Sequence, residues 1–326
     1  MKGIKKAVQV ILPLGLAAFL FWLVYKDWDF KVLANAFKGG VHYEWFFASL
    51  LLSILSMVLR GLRWQQLIDP VCPGGRKRVT ILSIFVGYAA NMLLPRAGEV
   101  ARCGILKRTD GISFTKSLGT VITERVFDVL ILFIISVITI ALQVDVFNDF
   151  FHQNPESLLK WQKLLTSPYV WGGVLVLILS VIALWKPFKK LPFYDKLSQF
   201  LTQLWTGMKS ITTIKHPFLF LFYTLAIWGC YFLMFYIVKY FFSWDISLGV
   251  LAMLSGFVMG SFGVVAPVQG GIGAYHFMVI YTLVFYGVSS SDAGVFALVA
   301  HGLQTIYTLV TGLVAYVLVN FIPKRS

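Results

Sequence analysis

The sequence predicts an all-α fold: a polytopic integral membrane helical bundle with two inverted repeats containing broken or re-entrant helices. Three observations predict it. Hydrophobic residues make up 58% of the 326 and charged residues 13%, with a mean hydropathy of +0.80, a balance that does not fit a water-facing surface. Apolar runs of about 17–25 residues, the length a helix needs to cross a bilayer, recur along the chain. Two stretches with the same layout carry most of the Pro, Gly and polar residues that interrupt those runs. No polar stretch between them is long enough to bury a core of its own. A soluble enzyme, or a membrane enzyme with a sizeable soluble domain, is therefore excluded, and residues 1–326 read as a single transmembrane domain.

The first element follows Lys2, Lys5 and Lys6: an apolar run from Ala7 to about Tyr25, then Lys26-Asp-Trp-Asp with no small-x-small cleavage site. It reads as a retained helix rather than a signal peptide. Further runs of spanning length lie at Trp45–Leu62, Val126–Leu142, Tyr169–Trp185, Pro217–Val238 and about Ala293–Val319. Val79–Leu94, Leu248–Ala266 and Gly273–Val288 are short or broken by Asn, Pro and Gly, as re-entrant segments are. Whether Leu248–Val288 crosses twice or folds back is left open. The repeat halves span about 44–142 and 217–319. They are joined through a helix at about 169–185 and a basic, aromatic connector at 186–216, which is either an interfacial helix or a plain cytoplasmic link.

Lys and Arg number 28 against 14 Asp and Glu, a formal charge of +14. In a membrane protein this excess collects in cytoplasmic loops, so no nucleic-acid partner is implied. Placing both termini inside puts Arg76, Lys77, Arg78, Lys107, Arg108, Lys116, Lys189, Lys190 and Lys215 inside, and leaves Lys26, Lys31, Lys38, Lys160, Lys163 and Lys239 outside. This holds only if Val79–Leu94 turns back without crossing. Cys72, Cys103 and Cys230 show no metal-ligand or redox spacing, and no cofactor is expected.

The first repeat copy contains Asn91, Pro95, Arg96, Gly98, Glu99 and Arg102, then Gly111-Ile-Ser113, then Glu124, Arg125 and Asp128. The second contains Pro267, Gln269, Gly270, Gly271, Gly273 and His276, then Gly287-Val-Ser289, then His301 and Gln304. Each proline is followed three residues later by a glycine. Arg125 and Asp128 lie as far beyond Gly111 as His301 and Gln304 lie beyond Gly287. On the charge-based topology the copies enter from opposite sides, a pattern that points to a transporter's central binding site.

Proline removes a backbone donor and glycine relaxes the chain, so Leu94–Gly98 and Ala266–Gly273 are expected to end helices inside the protein with free amides or carbonyls. Free amides at a helix N-terminus attract anions. Arg96 and Arg102 add donors suited to phosphate, and Glu99 balances them or accepts a proton. Gln269, Gly270, Gly271 and Gly273 supply amides without fixed charge. His276 is either a satisfied interior histidine or a proton carrier. Glu124, Arg125 and Asp128 share a helix face. Ionised groups inside a bilayer are by default functional candidates, with a structural ion pair near the interface as the alternative. Gly256, Gly260 and Gly263 form a face for close helix packing. Arg60, Arg63 and Trp64 read as an interfacial anchor.

Taken in order, Arg60-x-x-Arg63-Trp64, Asn91-x-x-x-Pro95-x-x-Gly98-Glu99-x-x-Arg102, Glu124-Arg125-x-x-Asp128 and Pro267-x-x-Gly270-Gly271-Ile-Gly273 resemble the lysylphosphatidylglycerol synthase transmembrane family, also called flippase-like. The resemblance runs from Met1 to about Val319. It implies similarity to the lipid-translocating membrane part of the multiple peptide resistance factor. The chain ends at Ser326, so the aminoacyl transfer of that factor's soluble domain is not implied. His276 stands where the family often has an acidic residue, and His301 where a basic residue is more frequent. Both departures bear on whether a coupling mechanism is shared.

The reading that combines these features is a lipid translocase of a prokaryotic plasma membrane, transporter-like rather than enzymatic, moving an anionic phospholipid or polyprenyl-phosphate-linked lipid between leaflets. No nucleotide-binding P-loop pattern appears. Two alternatives stay open: a non-catalytic lipid-binding partner of a transferase, and an intramembrane enzyme using paired acids such as Glu99 and Glu124 on a lipid-linked phosphate or sugar. The expected partners are membrane lipids with anionic headgroups, with a homo-oligomer or a lipid-modifying transferase also open.

Overall fold

The computed structural model describes residues 15–26, 28–29, 31–94, 96–144, 146, 166–168, 172, 175, 202, 205, 209–242, 246–266 and 268–325. Pro95 and Pro267 lie outside the described residues. So do the chain before residue 15, most of the loop Val144–Lys163, most of the helix expected at Tyr169–Trp185 and most of the connector 186–216.

Among the described residues the chain is helical, apart from one isolated bridge between Val41 and Phe242. This is the expected consequence of a sequence that must satisfy its backbone without water. The helices are α1 (Gly15–Tyr25), α2 (Lys31–Lys38), α3 (Tyr43–Ile68), α4 (Lys77–Leu93), α5 (Ala97–Asp110), α6 (Phe114–Leu142), α7 (Pro217–Tyr236), α8 (Val250–Val265), α9 (Ala274–Phe285) and α10 (Ser290–Asn320). A 3-10 turn, Ile237–Tyr240, extends α7. Helices α3, α6, α10 and the extended α7 are long and apolar enough to cross a membrane. Their outward faces fit lipid: Val129, Phe133 and Val137 on α6, and Ile306, Val310, Leu313 and Val317 on α10, are exposed at one-turn spacing. The chain is an all-α integral membrane bundle.

Contacts at the helix ends define two faces. At the first, Arg76, which precedes α4, donates from its backbone N–H and its Nε to Asp110, the last residue of α5, at 2.8 and 2.7 Å. Arg76 Nη2 also reaches the carbonyl of Pro323 at 2.9 Å, and Arg325 N–H donates to the Thr109 carbonyl at 2.8 Å. The end of α3 joins them through Gln65 Nε2 and the Gly75 carbonyl, 3.1 Å. At the second face His42 N–H donates to the Phe241 carbonyl at 2.9 Å. Gln143, at the end of α6, donates to the Leu251 carbonyl at 3.0 Å and to Ser255 Oγ at 2.6 Å. Ser255 Oγ lies 3.1 Å from Tyr286 OH, so α8 begins where α9 ends.

The α4–α5 segment therefore enters and leaves at the first face, and α8–α9 enters and leaves at the second. At 1.5 Å per residue α4 and α8 extend about 25 Å, short of a hydrocarbon core of about 30 Å. Both segments are re-entrant hairpins. This answers what the sequence left open for Leu248–Val288. Glycines allow the hairpin arms to touch: a Cβ on Gly98 would stand 2.7 Å from Asn91 Cγ, and one on Gly263 would stand 2.6 Å from Tyr275 Cα. The two halves have the same order of long helix, hairpin and long helix, and they interlock. Helix α3 packs on α7, α4 on α10 and α6 on α8.

Candidate substrate site

Helix α6 presents Glu124 and Asp128 one turn apart, and α3 presents Arg60 and Arg63 to meet them. Arg60 Nη2 lies 2.8 Å from Glu124 Oε1 and also bonds Asp128 Oδ2. Arg63 Nη2 lies 2.7 Å from Asp128 Oδ1 and 3.3 Å from Glu124 Oε1. From α5, Arg102 Nη1 reaches Glu124 Oε2 at 2.6 Å, and its guanidinium stacks 4.6 Å from the Trp64 ring centroid. Glu124 and Arg63 are completely buried. Trp64, also fully buried, donates its indole N–H to Thr120 Oγ1 at 2.9 Å. The Arg60-x-x-Arg63-Trp64 cluster is thus not an interfacial anchor. Its i,i+3 arginines share one face, and that face turns inward to neutralise the α6 acids.

This changes the expected division of labour. Arg102 is buried beneath the hairpin turn, with Nη1 held by Glu124 and its plane against Trp64, and its Nη2 has no hydrogen-bond partner. Arg125, 39% exposed, turns away from this core, with Nη2 3.1 Å from Glu99 Oε1 and Nη1 a longer 3.9 Å from Asp128. The intrahelical Arg125–Asp128 pairing suggested by spacing is therefore the weaker one. Arg96 is exposed at the hairpin tip, and its φ of 59° makes it the one non-glycine residue in the left-handed region among those described. Four arginines, at 60, 63, 102 and 125, meet three carboxylates, at 99, 124 and 128, so the cluster carries one positive charge in excess.

A cavity of about 370 Å³ lies over this core. Its polar side is Arg60, Tyr88, Arg125, Asp128, Tyr231 and Gln304; its apolar side includes Met57, Leu132, Phe257, Val264 and Leu303. Tyr88 stands under the two guanidinium groups that line the cavity, 5.1 Å from the buried Arg60 and 5.7 Å from the more exposed Arg125. Tyr231 accepts a hydrogen bond from Arg60 Nη1 at 3.0 Å. Both halves of the bundle line the cavity, from α3, α4 and α6 on one side and from α7, α8, α9 and α10 on the other.

The hairpin tips meet beside it. Asn91 Oδ1 accepts from the Gly98 N–H at 2.7 Å, so an amide expected to be free for an anion is already capped. Gln269 donates Nε2 to the Asn91 and Met92 carbonyls at 2.9 and 2.8 Å, tying the second tip to the unsatisfied end of α4, while its Oε1 has no hydrogen-bond partner. His301 Nε2 lies 2.8 Å from the Gly270 carbonyl. His276 Nδ1 accepts from the Gly273 N–H at 3.2 Å, and its ring sits among Phe21, Tyr25, Tyr275 and His301. Both histidines are buried, and each has one ring nitrogen bonded to the backbone of the second tip. Gly270, Gly271 and Gly273 have φ of 61°, 76° and 82°, which the turn requires. Gly273 also packs against α1, since a Cβ there would stand 2.7 Å from the Leu20 carbonyl carbon. Of the residues expected to bind substrate, the structure brings Arg125 and Asp128 to the cavity. It places Glu99 behind Arg125, buries Glu124 and Arg102 beneath, and uses Asn91, Gln269 and His276 to shape the tips.

Residues 10–312 match the family described as the lysylphosphatidylglycerol synthase TM region. The chain belongs to this family. No curated protein and no solved structure matches it. The family match spans both hairpins, the ion-pair core and the cavity.

Proposed function

We propose that the protein is a lipid translocase that moves an anionic phospholipid or a polyprenyl-phosphate-linked lipid between the leaflets of a prokaryotic plasma membrane. The observation that carries this reading is the cavity lined from both halves of the bundle, polar on one side and apolar on the other, between hairpins that enter from opposite faces. A headgroup crossing hydrocarbon loses its hydration, and an ionised group there costs several kcal/mol. The cavity offsets that loss with the Arg125 guanidinium and the Tyr88 hydroxyl, while its apolar walls accept acyl chain. The single excess positive charge of the cluster suits one phosphate diester.

In this account Arg125 binds the phosphate and Glu99 orients Arg125. Arg96, exposed at the hairpin tip, is a second cation free to meet the headgroup. Glu124, Arg60, Arg63 and Arg102 form the rigid base. The family's name also fits a lipid-related role. The first face is the cytoplasmic one, because Arg76, Lys77, Arg78, Lys107, Arg108, Lys116, Lys215, Lys324 and Arg325 gather there, against Lys26, Lys31, Lys38 and Lys239 at the second.

The test is leaflet exchange in proteoliposomes, with headgroup-labelled phosphatidylglycerol and labelled polyprenyl phosphate in parallel. Wild type exchanges at least one of them and Arg125→Gln loses most of that exchange. Exchange of neither lipid by folded wild-type protein overturns the reading. Recovery of a chemically altered lipid would replace it with the enzyme reading.

A further inference from the structure

A second cavity, of about 220 Å³, opens at the first face between the end of α3 and the starts of α4 and α7. It shares no lining residue with the central cavity. The charged groups facing it are Lys77, Lys215 and Asp69, with the His216 imidazole beside them. Both lysines are exposed, and Asp69 accepts a hydrogen bond from Gln65 Nε2. Helices α4 and α7 start at its rim with no acidic residue in the first turn and no side-chain cap, so their positive dipole ends add to the lysine charge. Gln66 lines the same cavity, and both polar atoms of its amide are buried without a hydrogen-bond partner. An amide in that state is destabilising unless something supplies the bonds. The remaining wall is apolar, with Leu62, Pro70, Leu219 and Tyr223. Beside it Phe218 is 87% exposed.

We propose that this cavity is a separate site for a phosphate group carried by a membrane amphiphile. Lys77 and Lys215 pair with the phosphate, the Gln66 amide bonds the ester or glycerol oxygens, and the apolar wall takes the start of an acyl chain. A soluble phosphate ester would meet the same cations. The apolar wall and the exposed Phe218 favour the lipid. The proposal does not depend on translocation.

The experiment is calorimetric titration of the protein in a phosphate-free maltoside detergent, carrying Arg125→Gln and Arg96→Gln so that the central site lacks both of its accessible cations. The probes are dihexanoylphosphatidylglycerol, glycerol 3-phosphate and dihexanoylglycerol. The phosphatidylglycerol binds best, and adding Lys77→Gln with Lys215→Gln weakens it roughly tenfold or more; both lysines are exposed, so the fold is not at risk. Asp69→Asn tightens binding. Gln66→Leu weakens binding while raising the thermal midpoint of the ligand-free protein, an opposition that a purely structural glutamine would not produce. Glycerol 3-phosphate binding as tightly as the lipid would overturn the lipid assignment. Equal binding of dihexanoylglycerol, or no weakening in the lysine variant, would overturn the phosphate site altogether.

Discussion

Replacing Glu124 by Gln removes the carboxylate on which Arg60, Arg63 and Arg102 converge at 2.8, 3.3 and 2.6 Å. The amide keeps the volume and one acceptor, so the loss is mainly charge in a group with no solvent exposure. Removing one member of a buried ion pair typically costs about 3–5 kcal/mol, because the partner charge stays buried without compensation. Three guanidinium groups lean on this carboxylate, and only Asp128 remains to take up Arg60 and Arg63. Glu124→Gln is therefore expected to lose roughly 3 kcal/mol and Glu124→Ala toward 5. The assay is reversible unfolding in mixed dodecyl maltoside and sodium dodecyl sulfate micelles, followed by tryptophan fluorescence. Combining Glu124→Gln with Arg102→Met is expected to recover about 1–3 kcal/mol relative to the sum of the single changes, since the pair is in direct contact. A loss below about 1 kcal/mol for Glu124→Gln, together with additive behaviour of the double variant, would refute the idea that this cluster holds α3, α5 and α6 together.

Glycine positions separate contact from conformation. Gly98→Ala puts a Cβ into Asn91 and the Gly87 carbonyl and is expected to prevent folding, whereas Gly104→Ala, with nothing within 4 Å in mid-helix, is expected to stabilise by roughly 0.5–1 kcal/mol in the same unfolding assay. Gln269→Ala removes two hydrogen bonds between the hairpin tips, each worth about 0.5–1.5 kcal/mol; it is expected to speed leaflet exchange, and slower exchange in a folded variant would mean that the tip contact is not a barrier. In intact cells an impermeant thiol reagent is expected to label a cysteine placed at Lys38 and to miss one at Lys107; the reverse pattern would invert the orientation.

Much of the architecture was legible because its causes are local. Pro and Gly at Pro95, Gly98, Pro267 and Gly270–Gly273 interrupt apolar runs too short to span, and the structure has re-entrant hairpins with breaks there. The matched spacing of Gly111 and Gly287 likewise marks the left-handed turns that precede α6 and α10, with φ of 69° and 91°. Partner choice was not legible. An arginine pair closing an apolar helix looks the same whether it anchors at an interface or turns inward, and only the tertiary arrangement brings Arg60 and Arg63 to α6. One signal did exist: Glu124 and Asp128 sit on one face with a single cation, Arg125, within a turn of them, so further cations had to come from elsewhere. Arg102, Asn91 and Gln269 were expected to face a ligand because their types suit one. Each bonds a protein group: Arg102 the Glu124 carboxylate of α6, Asn91 the Gly98 amide of its own hairpin, and Gln269 the end of α4, with Arg102 Nη2 and Gln269 Oε1 left without a partner.

The proposed translocation is tested most directly where the two hairpin tips meet, because a headgroup that crosses between the hairpins requires those tips to part. The Gln269 side chain reaches the Met92 carbonyl at 2.8 Å, so cysteines at positions 92 and 269, with Cys72, Cys103 and Cys230 replaced, are within reach of a short, reducible methanethiosulfonate cross-linker. Leaflet exchange measured before cross-linking, after it and after reduction tests the claim directly. The account predicts exchange that stops when the tips are joined and returns when the link is cut. Exchange that continues unchanged through a complete cross-link would contradict it.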